Sequence, residues 1–137
     1  QNVAHGLGIG ERVGWTGFVD PQNTPDYYAA ADVFVFASRT ETQGLSIAEA
    51  LAAGLPGVVV NAMGAAECLT DGEDGYVVAP HEDAFRAATQ RLVCDADLRK
   101  QMALAARRKA ENLSRERRVD ELLAIYQQLA QQRDGGA

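Results

Sequence analysis

SRTETQGLSIAEALAAGLP, residues 38–56, decides how the chain is read. It follows an apolar run, DVFVFA (32–37), and carries two carboxylates, Glu41 and Glu49, on either side of Gly44. Glu41 falls in a loop. The spacing predicts a helix that opens at Gly44 and closes at Gly54 and Pro56, since Gly suits the position past a helix end and Pro cannot continue the helix. Glu49 then lies about one turn inside, with Leu45, Ser46, Ala52 and Ala53 at i±3 and i±4 and no Lys or Arg on that face. Burying an unpaired carboxylate there is costly. Glu49 therefore either reaches water at a helix edge or meets a polar ligand. On the second reading both carboxylates face that ligand, and the N–H groups after Gly44 receive an anion between them.

Outward from this stretch, VFVFA (33–37) and GVVV (57–60) are continuous apolar runs of the kind found in strands buried on both faces. Val13 to Val19 reads as an earlier strand with Gly17 near its end, and Tyr76 to Ala79 as a later one stopped by Pro80. Asn2 to Leu7 ends a short helix, the glycines after it form a loop, and TPDYYAAA is a short helix with Pro25 in its first turn. A further helix is predicted over Ala65 to Leu69. Strands separated by helical patterns indicate βαβ units and a parallel sheet. Three helices close the chain: one over Glu82 to Val93, a second from about Asp97, and a third. The second places Leu98, Met102, Ala105, Ala106 and Leu113 on one face, and the third does the same with Val119, Leu122, Leu123, Tyr126, Leu129 and Ala130. Both stripes are expected to pack into the core. From Gln131 onward the chain is expected to fray, with 135–137 a disordered tail.

Length and composition are those of one globular domain: 137 residues, 47% hydrophobic and 23% charged. The net charge of −6 argues against a general nucleic-acid binder. It is unevenly spread, with four basic against fourteen acidic side chains in 1–98 and nine against five in 99–137. The basic end is expected to be a solvated helix surface, with an anionic lipid face or an acidic partner as the alternatives. No signal-peptide or membrane-spanning pattern is present in the sequence, and the opening at Gln1 reads as mid-chain. Cys68 and Cys94 are expected to be reduced core thiols of a cytosolic protein. His5 and His81 have no carboxylate or cysteine at metal-ligand spacing, and the acidic loop at 71–76 has Tyr76 where an EF-hand needs Gly. GLGIG (6–10) is not GxGxxG, and Asn112-Leu113-Ser114 is a chance sequon at a helix end. The 38–54 stretch remains, where an α/β sheet binds ligands beyond the C-terminal ends of its strands.

ETQGLSIAE, from Glu41 to Glu49, resembles the acidic E-x7-E motif of group 1 (GT4-type) retaining glycosyltransferases, and its surroundings are collinear with them. RVGWTGFV resembles that family's strand ending in Gly-Phe, YYAAADVFVFAS the segment leading to the motif, EALAAGLPGVVV its EA-x-A-x-G-x-P run, and GAAECLTDGEDGYVVAP its G-x-x-E…dG-x-x-G run. The resemblance implies an α/β fold: a Rossmann-like parallel sheet with helices on both faces, forming most of the C-terminal, donor-binding domain of a GT-B enzyme as a single partial domain over 1–134. It assigns Glu41 as the catalytic-site residue, accepting from donor-sugar hydroxyls together with Thr42 and Gln43. The distal phosphate falls to the backbone of Gly44 and Leu45, the ribose hydroxyls to Glu49, and the base to Gly17, Phe18 and Val19. No metal or other cofactor is implied; the nucleotide-diphosphate sugar is the donor substrate.

The chain departs from that family in lacking the two preceding βα units, with their glycine-rich loop and Arg/Lys pair, and the N-terminal acceptor-binding domain. Ala37 and Ala66 stand where Pro is usual. The missing strands belong between 13–19 and 33–36. The sheet is therefore expected either to pair those two segments directly or to have its vacant edge covered by another copy. The function expected is the donor-binding part of an enzyme that transfers a sugar to a hydroxyl acceptor in glycan or glycolipid synthesis. It is expected to be cytoplasmic, with the inner membrane face as the alternative location, and inactive by itself. A non-catalytic nucleotide-sugar module and a flavodoxin-like binding domain are the alternatives.

Overall fold

A computed structural model describes residues 2–62, 64–112 and 114–134 of the chain. Its centre is a three-stranded parallel sheet in the order β1 (Phe34–Phe36), β2 (Gly57–Val60), β3 (Gly75–Val78). Val35 pairs with Val58 and Val58 with Tyr76, so residues of like parity across the strands share a face. Between β1 and β2 lies α3 (Leu45–Ala52); between β2 and β3 lies α4 (Ala65–Cys68). After β3 come α5 (Glu82–Cys94), α6 (Ala96–Asn112) and α7 (Arg115–Asp134). Before the sheet stand α1 (Asn2–Gly6), a 3₁₀ turn at Gly10–Arg12, and α2 (Thr24–Ala29).

The central strand explains the two-faced core. Val58 and Val59 are both fully buried but point to opposite sides. Val59 packs with Ile47 and Leu51 of α3, Ala65 of α4, Leu69 and Ala106 of α6. Val58 packs on the other side with Leu92 of α5 and Met102 of α6. Helices thus cover both faces of the sheet, as expected, and α6 contributes to both clusters. Phe34 and Phe36 stack at 6.0 Å against the α3 side.

Helix α3 ends as its sequence predicts. The Leu55 N–H donates to the Ala50 carbonyl and the Gly54 N–H to the Leu51 carbonyl, the paired bonds of a Schellman motif. A second anchor lies far from it in sequence. The Asp74 carboxylate is buried, accepts from the Thr70 N–H at 2.8 Å, and pairs with Lys109 Nζ of α6 at 3.2 Å. Lys109 also donates to Thr70 Oγ1 at 2.9 Å. The acidic loop before β3 is therefore tied to α6 by one lysine.

Several expectations are corrected. Val13–Val19 forms no strand: a strand needs a lateral partner, and none of the described residues lies beside it in a ladder. Direct pairing of 13–19 with β1 does not occur, and among the described residues no strand lies along the outer edge of β1. Val35 is 48% exposed there, because α5 packs on β2 and β3 rather than on β1, so β1 is not buried on both faces. The α7 stripe is not core either; Val119, Leu122, Leu123, Tyr126 and Leu129 are each about half exposed. Cys94 is exposed, while Cys68 is half-buried against the α3 cluster. Gln131 to Asp134 continue α7 rather than fray. Met102 and Ala106 of the α6 stripe are buried as expected; Leu113 and the 135–137 tail lie outside the described residues.

Candidate functional site

The loop from Ala37 to Gly44 leaves the C-terminal end of β1 and turns back into α3. Loops that follow the other two strands hold it in place. The Gly64 N–H, after β2, donates to the Glu41 carbonyl at 3.1 Å, and Arg39 Nη2 donates to the Pro80 carbonyl, after β3, at 3.2 Å. A Cβ on Gly64 would lie 2.5 Å from the Thr42 carbonyl oxygen, so only glycine permits this approach. Gly44 is buried with φ 62°, and a Cβ there would overlap Cys68 Sγ. The Cys68 thiol in turn donates to the Gly64 carbonyl at 3.3 Å, and burial raises its pKa. Cys68 is the floor on which the turn into α3 rests.

Glu41 is the organiser of this loop. Its Oε1 accepts from three successive N–H groups, those of Thr42, Gln43 and Gly44, at 3.0, 3.1 and 3.0 Å. These bonds, the one from Gly44 foremost and then that from Gln43, hold its carboxyl below the usual glutamate pKa. The Gly44 N–H therefore meets the Glu41 carboxylate here. The N–H groups of Leu45 and Ser46, in the first turn of α3, take no acceptor among the described residues. A depressed carboxyl pKa means that this arrangement is complete above the ordinary glutamate pKa and is lost as pH falls through the lowered one. The amide resonances of Thr42, Gln43 and Gly44 are expected to titrate together, with a midpoint below the ordinary value of 4.5. Three independent midpoints, or a common one at or above that value, would contradict the cluster.

Glu49 stands one turn along α3, exposed, and forms no ion pair among the described residues. Its Oε2 nevertheless has a partner that the sequence does not announce: the Tyr28 hydroxyl of α2 donates to it at 3.1 Å. Glu49 borders two cavities. One, of about 450 Å³, lies against α2 and includes Pro21, Thr24, Pro25 and Tyr28. The other, of about 800 Å³, lies toward α6 and α7 and includes Leu45, Arg107, Glu111 and Arg115. The expected site residues thus divide. Glu41, Thr42, Gln43, Gly44, Leu45 and Glu49 are brought to one edge of the sheet and the start of one helix. Gly17, Phe18 and Val19 line neither cavity at Glu49, and Phe18 is 93% exposed. Tyr28, Gly64 and Cys68 are additions; all three lay within runs that the sequence marked, but none was singled out as a site residue. Among the described residues no cluster of His, Cys, Asp and Glu is arranged to hold a metal ion, and no helix is long and apolar enough to cross a membrane.

Comparison with known proteins places this edge in context. The family model for glycosyl transferases group 1 matches residues 1–109. A D-inositol 3-phosphate glycosyltransferase of Nocardiopsis dassonvillei is 33% identical over 130 residues, covering 91% of this chain and 29% of that protein. Among solved structures, sucrose-phosphate synthase from Thermosynechococcus elongatus superposes with a TM-score of 0.82 at 28% identity, over 93% of this chain and 33% of that one. The Anabaena protein HepE in complex with UDP superposes with a TM-score of 0.76 at 26% identity, over 98% and 35%. The chain spans about a third of the length of these relatives. A solved C-terminal domain of a group 1 family protein, LpcC of Francisella tularensis, also superposes, with a TM-score of 0.70 at 27% identity over 81% of this chain and 58% of that domain. Matched over most of its length by the family model and aligned with such a C-terminal domain, the chain belongs to the group 1 glycosyltransferases and has the fold of the C-terminal part of a GT-B enzyme.

Proposed function

We propose that this chain is the nucleotide-sugar-binding part of a retaining, metal-independent glycosyltransferase that moves a hexose from a nucleotide diphosphate to a hydroxyl acceptor. The observation that carries the reading is the Glu41 loop: a carboxylate, a left-handed Gly44 and unsatisfied helix-start N–H groups at the C-terminal edge of a parallel sheet. Glu41 meets the donor-sugar hydroxyls, with Thr42 and Gln43 beside it, because a carboxylate accepts several hydrogen bonds from a diol. The Leu45 N–H receives the distal phosphate, joined by that of Gly44 once Glu41 turns to the sugar. Glu49 takes the ribose hydroxyls.

The acceptor falls to the part of the enzyme that relatives of three times this length supply, and the open edge of β1 is where the rest of the donor sheet attaches. The chain alone is then a binding unit without transfer activity. A glycolipid or polysaccharide acceptor would bring the whole enzyme to the inner membrane face. Amide hydrogen exchange over residues 38–54, followed with and without added nucleotide-sugar, tests the reading.

A further inference from the structure

We propose that Tyr28 is a positioning residue for donor binding: its hydroxyl fixes one oxygen of Glu49 so that the other is presented to a vicinal diol. The inference rests on the reading of Glu49 as the ribose acceptor, and adds a residue to that site. Glu49 is exposed on the surface of α3, and a glutamate so placed rotates freely about three side-chain bonds. Tyr28 removes that freedom. Its ring is half-buried and packs edge-on against Phe34 of β1, with centroids 6.1 Å apart at 61°. It is a rigid post held by the sheet, and its hydroxyl lies 3.1 Å from Glu49 Oε2. Glu49 Oε1 takes no hydrogen bond among the described residues, so it retains its accepting capacity. Burial, and then the Glu49 carboxylate itself, raise the tyrosine pKa, so the phenol stays protonated and a donor at neutral pH. The two side chains share the wall of the 450 Å³ cavity between α2 and α3, where a ribose has room. Tyr28 thus links the α2 segment to a ligand contact on α3. Holding the carboxylate in place before the ligand arrives lowers the ordering cost of binding.

The test is a chemical-shift titration of the chain, which reads dissociation constants into the millimolar range. The probe is whichever of UDP, GDP and ADP binds most tightly, together with its 2′,3′-dideoxy analogue. Tyr28→Phe keeps the ring and its packing. It is expected to leave the thermal midpoint unchanged, to weaken the ribonucleotide roughly three- to tenfold, and to leave the dideoxy analogue unaffected. In a Glu49→Gln background the loss from Tyr28→Phe should shrink toward nothing. Equal ribonucleotide affinity for Tyr28→Phe and the native chain would overturn the proposal alone, as would an equal loss for both probes. Failure of the native chain to bind any of the three nucleotides would overturn the proposed function and this inference with it.

Discussion

Glu41→Ala, made in a protein that joins this chain to an acceptor-binding domain, is expected to lower sugar transfer on the order of 100-fold, the scale on which losing one organised polar contact at a reacting centre is felt. Two effects combine. The substitution removes the acceptor proposed for the sugar hydroxyls. It also frees three N–H groups, of Thr42, Gln43 and Gly44, that the Glu41 carboxylate gathers. The loop would then lose its internal template while keeping its outer ties, the Gly64 N–H to the Glu41 carbonyl and Arg39 to Pro80. Because Glu41 contributes nothing to either core cluster, circular dichroism should be that of the native protein, while the loss of its three loop hydrogen bonds should lower the thermal midpoint only modestly. Glu41→Gln separates the two effects: its amide oxygen still accepts from the loop but without the charge, so transfer should fall less than for alanine. Unchanged turnover in Glu41→Ala would refute the role given to this residue.

The largest effect on stability is expected from Lys109→Met. The Asp74 side chain is 3% exposed and that of Lys109 23%, so removing the ammonium leaves a buried carboxylate with only the Thr70 N–H to answer it. Breaking such a pair costs roughly 3 kcal/mol, which for a chain of this size is a fall of about 10 °C in thermal midpoint. The double variant Lys109→Met/Asp74→Asn should recover much of this, since the amide oxygen still accepts from Thr70 and no unpaired charge remains. A single-variant loss under 1 kcal/mol would mean that the pair behaves as a surface ion pair. Thermal unfolding of the three variants decides it.

These two residues also show what the sequence could and could not disclose. The limits of α3 were legible because they are local: Gly44 adopts φ 62°, and Gly54 with Leu55 completes a motif defined within six residues. GVVV was legible as a strand buried on both faces because it is a continuous apolar run, and all four of its residues are buried. The 13–19 segment was misread because strand character lies in a lateral partner, and alternating apolar residues do not state whether one is present. The stripe on α7 was misread for a related reason: a period of 3.6 shows that a helix has an apolar face, not what lies against it. Lys109 and Asp74 are 35 positions apart and Tyr28 and Glu49 are 21 apart, and neither pair leaves a spacing signal. The acidic motif itself was read from its family resemblance. The residues that hold its loop in place, Gly64 and Cys68, became meaningful only when the strand ends came together.

The central claim is that the 38–54 stretch, built around Glu41 and Glu49, is a nucleotide-sugar site. Amide hydrogen exchange measured across the whole chain with UDP-, GDP- and ADP-glucose tests it most directly. The account predicts that one of the three slows exchange within residues 38–54, centred on the Glu41 loop and the first turn of α3, and that Glu41→Ala abolishes the protection. Exchange over 38–54 that is identical with and without all three ligands, at concentrations into the millimolar range, would contradict it.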